Sequence, residues 1–193
     1  GQAIAIALYG TVIGALLGGI PSEKYGRKKT LFLIGILYLV SSIGAAVAQD
    51  VTTFMIFRFI GGLGIGVSSV AAPTYISEIS TPKTRGRLAG MYQFNIVFGI
   101  FVAYFSNYLL KGVGGADDWR WMLGVMAIPS LIYTALVFSV PESPRWLSKN
   151  GRSAEALDTL ERVNGKVAAQ TVLKEITATP NPMSNRDINR ECP

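Results

Sequence analysis

A chain of 193 residues in which half are apolar, only 16% are charged and 21 are glycine is too apolar for an ordinary water-soluble domain, whose charged share sits at about a quarter. The net charge is +6 with no histidine, yet Lys and Arg stand in short clusters between apolar blocks, which excludes a basic nucleic-acid face and fits membrane topology. A single cysteine, Cys192, excludes an internal disulfide framework and a cysteine-based metal site.

A transmembrane helix takes about 20 mostly apolar residues, and five stretches qualify: approximately 2–20, 31–49, 52–76, 88–110 and 122–140. The segments between them alternate in charge. The first, 21–30, carries Lys24, Arg27, Lys28 and Lys29; the second, around Gln49 and Asp50, has no basic residue; the third, 77–87, carries Lys83, Arg85 and Arg87. Residues 111–121 offset Lys111 and Arg120 with Asp117 and Asp118, and the stretch after the last span brings Arg145, Lys149 and Arg152. By the positive-inside rule the first, third and final segments are expected in the cytoplasm. The pattern predicts an all-α, polytopic bundle over 1–140, a cytoplasmic helical segment over 141–176 and an irregular tail over 177–193. The chain opens on Gly1 with no charged stretch ahead of its first apolar block, so no signal peptide is expected.

In the first span Gly10, Gly14 and Gly18 recur every fourth residue, a spacing that lets two helix backbones approach closely in lipid. Gly19-Ile20-Pro21-Ser22-Glu23-Lys24-Tyr25-Gly26-Arg27-Lys28-Lys29 follows. A basic stop at a membrane edge explains the cations but not the Gly-x-x-x-acid and Gly-Arg-Lys-Lys spacing. That spacing resembles the loop between the second and third helices of the major facilitator superfamily, with Glu23 and Lys24 in place of its Asp and Arg.

The third span carries Arg58, then Gly61, Gly62, Gly64 and Gly66. The glycines lack dinucleotide-loop spacing and no strand precedes them, so a nucleotide site is excluded. An ionisable residue within a membrane helix is costly and marks either a functional site or an anchor snorkelling to the interface. Pro73-Thr74-Tyr75-Ile76-Ser77-Glu78 and Arg85-Gly86-Arg87 come next. Together these resemble the fourth helix and following loop of the sugar porter family.

In the fourth span Gln93, Val97, Ile100, Tyr104 and Asn107 fall on one helical stripe. A buried amide there could join a neighbouring helix or offer donor and acceptor to sugar hydroxyls. Trp119-Arg120-Trp121 before the last span reads as an interfacial aromatic anchor. After that span, Pro141-Glu142-Ser143-Pro144-Arg145-Trp146-Leu147 is similar, residue for residue, to the sugar porter signature. Behind it, Ser153 is placed to cap a short helix with Ala156, Leu157, Leu160 and Val163 on one stripe, and a second helix starts after Asn164 and Gly165.

The resemblance covers residues 2–176 and implies helices two to six of a sugar porter, without its first helix and its second bundle. It implies a carrier, facilitator or proton symporter, in which two bundles rock about a midplane monosaccharide site. Gln93 would touch the sugar, and Arg58 would pair with an acid on the first helix in proton-coupled members. Arg27, Glu78, Arg85, Glu142 and Arg145 would close the cytoplasmic mouth. Ile100 replaces a second glutamine of xylose permeases, which leaves the sugar open. The expected partners are a small sugar, a proton if coupled, the bilayer and the missing half; no cofactor, metal or nucleic acid is expected. A carrier of another polyol such as myo-inositol and a non-transporting membrane sensor or scaffold are the alternatives. An enzyme is not expected, since no histidine and no catalytic Ser or Asp pair lies in a span.

Overall fold

The computed structural model describes residues 2–113 and 115–164, which form helices and short connections, with no strand among them. The chain divides after Pro141 into two compact units. The first unit contains α1 (Gln2–Leu17), α2 (Gly19–Tyr25), α3 (Arg27–Val47), α4 (Val51–Ile79), α5 (Pro82–Leu110), α6 (Asp118–Gly124) and α7 (Ala127–Val137). The second contains α8 (Pro144–Lys149) and α9 (Ser153–Asn164). By length and composition α3, α4, most of α5, and the α6–α7 stretch can each cross a membrane, and the bent α1–α2 pair makes a fifth.

The basic segments expected as loops are mostly helix. Residues 21–30 are helical except at Gly26, because Lys and Arg favour helices and one residue suffices for the break. Gly26 takes φ 98°, a backbone region that glycine reaches without a Cβ clash. The first span, expected to end near residue 20, instead bends by 45° between α1 and α2 and runs on to Tyr25. Pro21 accounts for this bend, since it has no N–H to offer the carbonyl of Leu17 and its ring crowds that carbonyl. Between α4 and α5 only Ser80 and Thr81 intervene, where a loop over 77–87 was expected. Thr81 caps α5 reciprocally with Thr84, and Pro82 stands at the first helical position, so the helix starts at once.

The last span starts at Asp118 rather than near 122 and is broken at Val125–Met126. Pro129 cannot donate to the carbonyl of Val125, which accepts from Ile128 N–H instead at 3.1 Å. At the same end of the bundle Asp50 caps α4. It accepts from Thr53 N–H at 2.7 Å and from the Thr53 hydroxyl at 2.8 Å. Those bonds, the backbone one foremost, hold the Asp50 carboxyl below the usual carboxylate range.

Glycines decide how α1 meets α4. A Cβ on Gly62 would strike the carbonyl of Ala7, one on Gly66 that of Thr11, one on Gly14 that of Leu63, and one on Gly10 that of Phe59. The two backbones therefore touch directly, which in lipid replaces the hydrophobic drive that packs helices in water. Toward the basic end Leu31, Ile34, Ala71, Tyr75 and Val137 form a buried cluster of α3, α4 and α7. By contrast, no residue of 84–110 in α5 is buried. A helix apolar all round needs lipid or further protein about it.

In the second unit Ser143 caps α8, accepting from Trp146 N–H at 3.3 Å, and Pro144 occupies the first turn. Ser153 was expected as the cap of α9 but lies inside it; Ala156 N–H bonds the carbonyl of Arg152, one residue earlier. Ala156 and Leu160 of the expected stripe are buried and Leu157 is half-buried. The second short helix and the tail after 177 lie outside the described residues.

Candidate functional site

At the basic end of the first unit Arg27 and Glu78 form a two-pronged ion pair. Arg27 Nη2 donates to Glu78 Oε1 at 2.8 Å and Nε to Oε2 at 2.9 Å. Both side chains are nearly enclosed, at 11% and 7% exposed, so the pair works in a medium of lower dielectric than water. The planar guanidinium matches the carboxylate edge to edge, a fit that lysine lacks. Gly26 and Pro21 set it up: the turn starts α3 at Arg27, and the bent α2 brings the Ser22 carbonyl within 3.1 Å of Arg27 Nη1.

Two further bonds tie this end together. Lys28 Nζ donates to the carbonyl of Phe138 at 2.8 Å, a cation at the C-terminal end of α7. Tyr75 donates its hydroxyl proton to the carbonyl of Pro141 at 2.8 Å. Sequence reasoning gave neither residue a part. Tyr75 was visible only as the aromatic of Pro-x-Tyr-x-x-Glu, and no local signal in Lys28 reports a partner 110 residues away.

Of the other residues expected at the mouth, Arg85 is exposed on the first turns of α5 and makes no ion pair among the described residues. Within the second unit Glu142 is half-buried and its Oε1 accepts from Ser143 N–H at 2.9 Å, while Arg145 is exposed on α8.

Arg58 sits in the wall of a cavity of about 250 Å3, with Tyr38, Ser41, Ser42, Gly62 and Ser130 among its neighbours there. Its Nε is buried and has no hydrogen-bond partner among the described residues. Its guanidinium carbon stands 5.6 Å from the centre of the Phe54 ring, a cation–π contact. Among the described residues no acid lines the cavity.

Gln93 is exposed on α5, apart from that cavity, as are Val97, Ile100 and Tyr104 of the same stripe. Asn107 is half-buried, and its Oδ1 is enclosed without a partner among the described residues. The structure thus joins Arg27 to Glu78 but brings neither Arg58 nor Gln93 to that pair.

A family model described as "Sugar (and other) transporter" matches residues 1–189. The chain is 41% identical to an arabinose-proton symporter of Bacillus subtilis over 91% of its own length and 39% of that protein's. It is 39% identical to the probable inositol transporter 2 of Arabidopsis thaliana, covering 91% of this chain and 29% of the relative. The fold matches the partially occluded inward-open conformation of the xylose transporter XylE from E. coli with a TM-score of 0.86 at 34% identity, over 91% of this chain and 46% of that one. The chain spans less than half the length of these relatives.

Proposed function

Because the chain belongs to the sugar (and other) transporter family, a family of multi-pass membrane proteins, we propose that it forms part of a carrier that moves a monosaccharide by alternating access. The observation that carries this reading is the match of its bundle, over nine-tenths of the chain, to a solved xylose transporter. The basic end is assigned to the cytoplasm by the clustering of Lys24, Arg27, Lys28, Lys29, Arg85 and Arg87 there, and the segment after the last span is assigned to it by its own Arg145, Lys149 and Arg152.

The site roles follow from what each group is able to do. Gln93 faces out of this chain on α5, where its amide is free to meet sugar hydroxyls with both a donor and an acceptor. The Arg27–Glu78 pair is an element of the inner mouth, with Arg85, Glu142 and Arg145 as its further charges. Such contacts can act as a switch, because turning a two-state equilibrium from 1:99 to 99:1 takes about 5.5 kcal/mol in all. Arg58, whose Nε has no partner among the described residues, is the group for an acid of a coupled carrier to approach. Its role decides between facilitator and symporter.

A second reading, a polyol carrier, is favoured by the 39% identity to the inositol transporter. The test is counterflow in proteoliposomes of the complete carrier with arabinose, xylose, glucose and myo-inositol. Saturable exchange of one sugar is expected; exchange of myo-inositol alone establishes the second reading, and no exchange of any of them overturns both. In the same vesicles a pH gradient drives accumulation by a symporter, and Arg58→Ala is expected to abolish that accumulation.

A further inference from the structure

We propose that Tyr75 and Lys28 are positioning residues, which clasp the end of the last span to α4 and α3 independently of the Arg27–Glu78 pair, so that the pair can open without releasing that end. The clasp lies within the first unit; only the opening of the pair rests on its proposed part in a carrier's mouth.

The last span does not complete its own hydrogen bonding. α7 ends at Val137, and the next three residues wind more tightly: the N–H groups of Phe138, Ser139 and Val140 donate to the carbonyls of Ala135, Leu136 and Val137 at 3.2, 3.0 and 3.2 Å. Pro141 has no N–H with which to continue and disfavours helix at the residue before it. Carbonyls at such an end need donors from elsewhere. Those of Phe138 and Pro141 find them across the bundle, in Lys28 Nζ and the Tyr75 hydroxyl, each at 2.8 Å.

Packing holds both donors in place. Phe32 follows Lys28 by one turn of α3, and its ring meets that of Phe138 at 5.0 Å between centres, so α3 grips Phe138 by carbonyl and side chain together. Farther along α3, Gly35 admits α7 so closely that a Cβ there would strike the Thr134 hydroxyl. Tyr75 belongs to the buried cluster with Leu31, Ile34 and Val137. The clasp and the ion pair share helices but no atoms. Arg27 and Lys28 are successive on α3 and point roughly 100° apart around it; one reaches Glu78 and the other the Phe138 carbonyl. Tyr75 stands three residues before Glu78 on α4 and bonds Pro141, whereas Glu78 bonds Arg27. Breaking the pair therefore breaks neither bond of the clasp.

The test is hydrogen exchange over residues 138–140, read by mass spectrometry of overlapping peptides from the full chain in detergent. Tyr75→Phe keeps the ring and removes the donor; Lys28→Met keeps the stem and removes the cation. Each is expected to speed exchange there about fivefold, the worth of one net hydrogen bond where local opening limits exchange. Each is expected to leave residues 10–14 of α1 unchanged. Lys28→Arg, still a donor, is expected to restore the slow rate. Glu78→Ala, which opens the pair, is expected to leave 138–140 as slow as in the wild type. Unaltered exchange in either variant removes that residue from the clasp, and in both overturns it, as does equal acceleration over 10–14. Acceleration by Glu78→Ala as large as that by Tyr75→Phe overturns the independence from the pair. If Tyr75→Phe does not fold, Lys28→Met and its rescue by Lys28→Arg decide on the same terms. No transport enters these readouts, so a failed counterflow assay overturns the carrier reading and leaves the clasp standing.

Discussion

Arg27 and Glu78 lie 51 positions apart and still meet through two hydrogen bonds in a nearly enclosed place. Removing one partner from such a pair strands the other, a loss of about 3–5 kcal/mol in buried cases. Arg27→Ala and Glu78→Ala are each expected to lower the melting temperature in detergent clearly. The double variant is expected to lose much less than the sum, as a double-mutant thermal cycle would read; additive losses would show that the pair is not coupled. Arg27→Lys is expected to rescue little, because a point charge cannot occupy both oxygens in the same plane. Gln93 differs in kind, since it is exposed on α5. Gln93→Ala in the complete carrier is expected to leave stability alone and raise the half-saturation for sugar about tenfold, the worth of one or two hydrogen bonds. Uptake kinetics with unaltered affinity would remove Gln93 from the sugar site.

Among the elements, the α1–α4 seam and the cap of α4 make separate demands. A Cβ at Gly66 meets the Thr11 carbonyl and the Ala15 amide, both backbone atoms that cannot rotate away. Gly66→Ala is therefore expected to destabilise by about 1–3 kcal/mol, as overpacking does. Gly90→Ala, whose Cβ meets nothing beyond its own helix backbone within 4 Å among the described residues, is expected to be neutral or to stabilise slightly through helix propensity. Thermal melts of the two in one detergent check the contrast. At Asp50 the folded carboxyl titrates lower than the unfolded one, so its capping contribution is fully present above the unfolded value of about 3.9. That contribution disappears as pH falls through the lower folded value. The melting difference between the wild type and Asp50→Ala is accordingly expected to be constant near neutrality and to close on acidification below about pH 4.

For the whole molecule, the apolar surface decides the surroundings. Leu8, Leu16, Phe94, Phe101, Tyr104, Leu131 and Leu136 are more than half exposed, along helices of membrane-spanning length. Exposed apolar surface on that scale is not carried by soluble monomers. The protein is expected to be monodisperse in detergent or nanodiscs and to aggregate on detergent removal; size-exclusion chromatography that finds a folded monomer in plain buffer would remove the membrane assignment. The unburied α5 also leaves a whole helix surface of the first unit for lipid or for further protein of a complete carrier.

The apolar block lengths and the charge alternation sufficed for an all-helical, five-span reading, because crossing a bilayer imposes a length and a polarity that each segment carries in its own residues. The ordered motifs, from Gly26-Arg27 to Pro141–Leu147, sufficed for the family. Helix ends were less legible: at 21–30 and 77–87 charge was taken for loop, whereas one glycine or one capping threonine made the turn. Only the tertiary structure decided that Arg27 meets Glu78, that the glycines of α1 and α4 interlock, and that Trp119 meets the Phe54 ring. Those are relations between residues distant in the chain, fixed by how helices pack on one another, and no local pattern of side chains encodes them.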